Sequence, residues 1–266
     1  MSAPGLHLSM AGEGDRPLLM LHGLGADHGQ PLALAGHALR SRFRLLAPDL
    51  RAHGRTRLDE GPGLLTISRL AADVEDAIRA LAPLPGMIVA GISMGAAVVV
   101  ELLARRAVAI EGFVLIRPAW LWEPDPPNLA PFPQIAKLLR SGGPEEGKEA
   151  FRWSRQYAEV AEVSPAAASA LLGQFDAPRA KERAHRLTAF PASAPSRPAR
   201  AAEAAGAVRA GLVIAAPDDP VHPVETAERV ARTLDVPLEI VAPRYDEPAQ
   251  HARQVAQAIS AALRNA

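Results

Sequence analysis

The sequence predicts an α/β fold: a mostly parallel central sheet with helices on both faces and an α-helical insertion. Two observations carry that expectation. Through the first half of the chain, short apolar runs alternate with amphipathic stretches of helical length, the signature of βαβ units. The alternation then breaks at Arg117-Pro118 and returns only near residue 212, so a segment without strands is set inside an otherwise regular chain.

Taken in order, residues 17–21 (PLLML) read as a buried strand that runs straight into His22-Gly23-Leu24-Gly25. Residues 43–47 (FRLLA) form the next strand and end at Pro48-Asp49. Residues 66–81 carry Ile67, Leu70, Ala71, Val74, Ala77, Ile78 and Leu81 at helical spacing, with Thr66 as N-cap. A third strand covers 87–92, a proline-free helix 94–105, and a fourth strand 113–116. Helices interrupted by prolines and glycines follow at 134–140, 144–160, 165–175 and 178–187, and residues 191–198 read as an extended connector. Strands resume at 212–215 and 237–241, with helices at 225–234 and from the last strand to 263. The expected division is a core of residues 1–117 and 201–266 with a helical insertion, or cap, at 118–200.

Composition narrows the function classes. The 266 residues bury roughly 70–75% of the unfolded surface in a folded chain of this size, so core volume is not limiting. Twenty-nine basic residues balance 29 acidic ones, and no basic run stands out. The expected partner is therefore a small-molecule substrate rather than a nucleic acid or a membrane, and a homodimer is compatible with the sequence. The absence of cysteine removes disulfides, thiolate catalysis and cysteine metal sites together. The first 25 residues lack a basic start and a long apolar core, and no apolar run approaches the ~20 residues of a spanning helix. A soluble, cytoplasmic protein is the default expectation.

The chemistry resides in Gly91-Ile92-Ser93-Met94-Gly95, a G-x-S-x-G between a strand and a helix. A nucleophile must stand clear of the sheet on a tight turn, and flanking glycines permit the close packing that a side chain would block. A helix starting at Met94 also brings its free N–H groups and positive dipole end beside the serine. Strand, motif and helix together mark Ser93 as a nucleophile rather than an ordinary turn serine.

With these residues in view, the chain resembles the α/β-hydrolase superfamily, in its serine-nucleophile branch with a helical cap. Leu21-His22-Gly23-Leu24-Gly25 resembles the oxyanion loop of that family. The run from Pro48 to Thr56 resembles its P-D-x-x-G-x-G-x-S loop, and Asp219-Pro220-Val221-His222-Pro223 resembles its acid loop. The resemblance implies the α/β-hydrolase fold and a triad in the order Ser93, Asp219, His251. It implies an oxyanion hole from the backbone N–H groups of Leu24 and Met94, and a substrate site near His22 and Gly23. Asp218, Glu123 and Asp125 are alternative acids. His22 either contacts substrate or holds its loop by bonding to backbone. The chain departs from the family at the base: the loop after the last strand, Ala242 to Gln250, holds no histidine. Of the two histidines after Asp219, His222 lies three residues from the acid. His251 precedes Val255 by one helical turn on an inward face and is the expected base.

Trp120 and Trp122 open the insertion and read either as substrate contacts or as the core of the cap. Arg117 reads as an anion contact at the pocket wall or as a surface residue. His28, His53 and His185 show no metal-site spacing, and the implied chemistry calls for no metal and no cofactor. The expected activity is hydrolysis of a small, largely apolar ester, lactone or thioester through an acyl-enzyme, that is, a carboxylic ester hydrolase. A carbon–carbon hydrolase, cyclase or lyase using the same site is the second reading, and a ligand-binding protein that has lost catalysis the third.

Overall fold

The structure is a computed structural model, and it describes residues 5–56, 61–81, 87–120 and 122–264. The chain begins with β1 (Leu8–Ala11) and β2 (Arg16–Leu21), followed by the short helices α1 (Gly29–Leu34) and α2 (His37–Arg42) and by β3 (Phe43–Pro48). Then come α3 (Ile67–Ala80), β4 (Met87–Ile92), α4 (Met94–Arg105) and β5 (Ile110–Ile116). Among the described residues from there to β6 (Ala210–Ala215) all regular structure is helical. It comprises a 3-10 turn (Pro127–Leu129) and the helices α5 (Pro131–Arg152), α6 (Arg155–Val163), α7 (Pro165–Leu171), α8 (Gly173–Asp176), α9 (Arg186–Ala189) and α10 (Pro198–Ala205). The chain closes with α11 (Val224–Leu234), β7 (Leu238–Ile240) and α12 (Pro248–Ala262).

The seven strands form one sheet in the order β1-β3-β2-β4-β5-β6-β7, with only β1 antiparallel to its neighbour. Burial on both faces explains why the strands read as continuous apolar runs. Leu19, Leu21, Val89, Phe113, Leu115 and Val213 face one core, which includes Leu70, Val74, Val98 and Leu102 of α3 and α4. The alternate residues Leu18, Met20, Ile88, Ile92, Val114 and Ile214 face the other core, with Leu39, Val255 and Ile259 of α2 and α12. The inward periodicity expected of the last helix holds, and it includes His251, which is buried.

The fold is the expected one, and Thr66 caps α3 by accepting from the Arg69 N–H at 3.1 Å. Three helix expectations in the insertion change. The expected 144–160 helix is broken at Trp153-Ser154, where the Ser154 hydroxyl accepts from Tyr157 N–H and starts a new helix. The 165–175 helix divides at Leu172 into α7 and α8. Over 178–187 the chain is mostly turns, with Arg179 in the left-handed region at φ 58°. The edge strand β1 escaped the sequence reading because its four residues are nearly all half-exposed.

One buried ion pair fastens the loop after β3 to the helix layer. Arg51 Nε and Nη2 bond both oxygens of Asp73 on α3 at 2.8 and 2.9 Å, with both side chains buried. Arg69 Nη2 also reaches Asp73, at 3.0 Å, and breaking a buried ion pair by removing one partner costs about 3–5 kcal/mol. Asp73→Ala is therefore expected to lower the unfolding free energy by about that amount in urea titration, and a loss below about 1 kcal/mol contradicts this assignment.

Candidate active site

Ser93 occupies the turn between β4 and α4 at φ 53°, ψ −109°, a conformation that L residues rarely adopt. Its N–H continues the sheet ladder by donating to Ile116 O at 3.0 Å. The turn closes because its flanks are glycines. A Cβ on Gly91 would collide with the Gly95 carbonyl, and one on Gly95 would lie 2.5 Å from Leu21 O. Met94 is the first residue of α4, so its N–H has no acceptor within the helix.

The loop after β2 lies against this elbow: a Cβ on Gly23 would sit 3.4 Å from Ser93 Cβ. Two neutral histidines fix the loop. His22 accepts from Leu50 N–H at Nε2 (3.0 Å) and therefore donates from Nδ1 to Gly23 O (2.8 Å). His53 repeats the pattern, accepting from Gly25 N–H (3.1 Å) and donating to Arg51 O (2.8 Å). The rings are 4.9 Å apart and both are completely buried. Gln30 Oε1 accepts from Gly23 N–H at 2.7 Å. His22 thus holds its loop and contributes no lining to the Ser93 cavity.

The acid loop folds back on itself. Asp218 takes φ 56°, and His222 N–H donates to Asp219 O at 3.0 Å. This tight turn carries the His222 ring onto its own acid, with Nδ1 2.8 Å from Asp219 Oδ2. The same oxygen accepts from Arg117 Nη1 at 3.0 Å. These three side chains are buried, whereas Asp218 is exposed. Its two cationic or hydrogen-bonding partners hold the Asp219 carboxyl well below the usual range despite burial. Burial lowers the His222 pKa, and the neighbouring carboxylate only partly opposes it. The imidazole is then neutral, with its proton on Nδ1 and an unpartnered, buried Nε2.

Ser93 and His222 line one cavity of about 220 Å³. Gly23, Leu24, Arg117, Arg244 and Tyr245 contribute from the core, and Phe132, Leu171 and Gln174 from the helical insertion. Gln174 Nε2 donates to Leu24 O at 3.3 Å, joining the insertion to the loop after β2.

The other expected site residues lie elsewhere. His251 donates from Nδ1 to Ala242 O at 2.9 Å, and its ring is not part of the cavity wall. Trp120 is buried in the main core, and Trp122 lines a separate cavity with Glu123, Asp125 and Arg229. The tryptophans point away because β5 delivers the chain to the cavity wall only at Arg117, before the first of them. Sequence reading passed over Gln30, Gln174, Arg244 and Tyr245, since no motif marks them. Among the described residues one group has metal-ligand spacing, His7, His28 and Asp49, with ligand atoms within 4.8 Å of one another. There Asp49 is already engaged as a brace, accepting from His28 N–H and Nδ1 and from Arg55 N–H.

Comparison with known proteins gives the family and the fold. The profile of the Alpha/beta hydrolase family matches residues 18–258. No curated protein matches the chain. Among solved structures, a thermophilic esterase from Thermogutta terrifontis is 22% identical with a TM-score of 0.71, over 97% of this chain and 93% of that one. An enol-lactonase from Burkholderia xenovorans LB400 is 24% identical with a TM-score of 0.70, over 98% and 96%. MenH from S. aureus is 16% identical with a TM-score of 0.72, over 97% and 98%. At these identities the likeness is one of fold.

The histidine braces make stability depend on pH. Burial lowers the His22 pKa from 6.5 to about 4, so folding holds the ring neutral while the unfolded chain protonates it more readily. The associated stabilisation is complete above 6.5 and is lost as pH falls towards about 4, on the order of 3 kcal/mol for His22. His53 is shifted in the same direction. Urea titrations are expected to show this decline, and His22→Ala to flatten it while lowering stability at neutral pH. An unchanged acid slope in the variant contradicts the bracing role.

Proposed function

The chain belongs to the alpha/beta hydrolase family, and on that premise we propose that it is a serine hydrolase of small carboxylic esters, lactones or thioesters. Ser93 is the nucleophile, His222 the general base and Asp219 the carboxylate that orients it. The observation carrying this reading is the Asp219–His222 hydrogen bond. It commits the imidazole proton to Nδ1 and leaves a neutral Nε2 on a histidine that shares the Ser93 cavity. His251 also has a buried, unpartnered Nε2, but its Nδ1 is held by a backbone carbonyl rather than a carboxylate, and its ring is outside the cavity wall.

The chemistry follows in two halves. Ser93 Oγ attacks the carbonyl carbon as its proton passes to His222 Nε2, and Asp219 stabilises the imidazolium so formed. The developing oxyanion is received by the N–H groups of Leu24 and Met94, each worth about 3 kcal/mol in the transition state. Collapse breaks the bond to the leaving alcohol or thiol, which takes the proton from His222. Water then attacks the acyl-enzyme by the same route and releases the acid and free Ser93. The helices of residues 118–200 act as a cap, presenting Phe132 and Leu171 to the apolar part of the substrate and excluding water from the intermediate.

Turnover of p-nitrophenyl acetate and butyrate tests the proposal. Ser93→Ala is expected to abolish it, and Asp219→Asn to reduce kcat on the order of 10³- to 10⁴-fold. Because burial lowers the His222 pKa, the acid limb of kcat/KM is expected to have its midpoint below the ordinary value of 6.5. Turnover that persists in Ser93→Ala, or an acid limb centred above 6.5, contradicts the mechanism.

A further inference from the structure

The Ser93 cavity carries more positive charge than hydrolysis of a neutral ester needs. Two guanidiniums, Arg117 and Arg244, stand in its wall, and among the described residues no aspartate or glutamate does. Among the described residues the one carboxylate engaged with either of them is Asp219, buried behind His222 and bonded to Arg117. Arg244 makes no ion pair among the described residues. Its guanidinium lies 5.0 Å over the Tyr245 ring, and Nη1 reaches the Tyr245 hydroxyl at 3.4 Å. Arg117 Nε is buried without a hydrogen-bond partner.

Counting charges on this cluster leaves one in excess: two cations against Asp219, with His222 neutral. A half-buried guanidinium without a counter-ion is costly, and it is stabilised when an anion enters its cavity. Burial and the facing Arg244 lower the Arg117 pKa to about 10, which still leaves it charged at neutral pH.

We propose that the substrate carries a free carboxylate besides the bond that is cleaved, and that Arg244 receives it at the wall of the Ser93 cavity with Arg117 supplying positive potential behind. This deepens the hydrolase reading and rests on it for the identity of the cleaved bond. A carboxylate is favoured because its two oxygens match the planar guanidinium fork and its single charge equals the excess. The cavity of about 220 Å³ suits a small acid.

The test compares monomethyl glutarate, which bears a carboxylate, with dimethyl glutarate, its neutral counterpart, by calorimetric titration of full-length Ser93→Ala protein. The monoester is expected to bind roughly 10- to 100-fold more tightly than the diester. Adding Arg244→Gln removes that preference, and Arg244→Lys, which keeps the charge, restores part of it. Equal affinity for the two esters, or a preference that survives Arg244→Gln in a folded protein, overturns the proposal. Competition by inorganic phosphate as strong as by glutarate overturns the choice of carboxylate. Binding requires no chemistry, so selection of the monoester by Ser93→Ala beside a wild-type protein that hydrolyses no ester refutes the hydrolase reading alone. One that hydrolyses both esters without discrimination refutes this inference alone.

Discussion

The structure depends on a backbone turn that only one arrangement of residues allows. At Ser93 the chain leaves β4 and enters α4 through a left-handed conformation, and the cost, of order 1–3 kcal/mol, must be offset by everything packed around it. Gly91 and Gly95 let the two backbones and β2 come together, and the Ile116 carbonyl receives the Ser93 N–H. The loops bearing Leu24 and Arg117 follow β2 and β5, the strands on either side of β4 in the sheet. Parallel order brings the carboxyl ends of these strands to one edge, and that edge is the site.

Around the elbow, neutral imidazoles do structural and chemical work by the same means. His22, His53 and His222 are each buried, each has a lowered pKa, and each has its proton placed by an acceptor at Nδ1. What differs is the other nitrogen. In His22 and His53, Nε2 accepts a backbone N–H and the ring becomes a brace. In His222, Nε2 is left unpartnered beside the Ser93 cavity, and in the proposed mechanism the same chemistry serves as a base.

The fold was legible because its signals are local. Six of the seven strands, the Thr66 cap and the 94–105 helix follow from apolar runs, a side-chain cap and a motif within a few residues of each other. The proposed base was not legible, since it depends on how one loop turns. A separation of three positions from Asp219 suggested that His222 would be poorly placed to serve Ser93 as well. The backbone bond from His222 N–H to Asp219 O folds the ring onto the carboxylate instead. His251 satisfied every criterion that spacing supplies, an inward helical face and burial, but its partner is a carbonyl. The aromatic residues of the insertion misled for a related reason. Composition located Trp120 and Trp122 near the site in sequence, while the cavity wall is made by Phe132, Leu171 and Gln174, brought in by the packing of α5, α7 and α8.

The central claim is that His222, held by Asp219, activates Ser93. Fluorophosphonate labelling of the folded protein, with the modified residue located by mass spectrometry, tests it most directly. The account predicts labelling confined to Ser93, slowed on the order of 10²- to 10⁴-fold in His222→Ala and little changed in His251→Ala. Labelling that depends on His251 and ignores His222, or that falls on another residue, would contradict it.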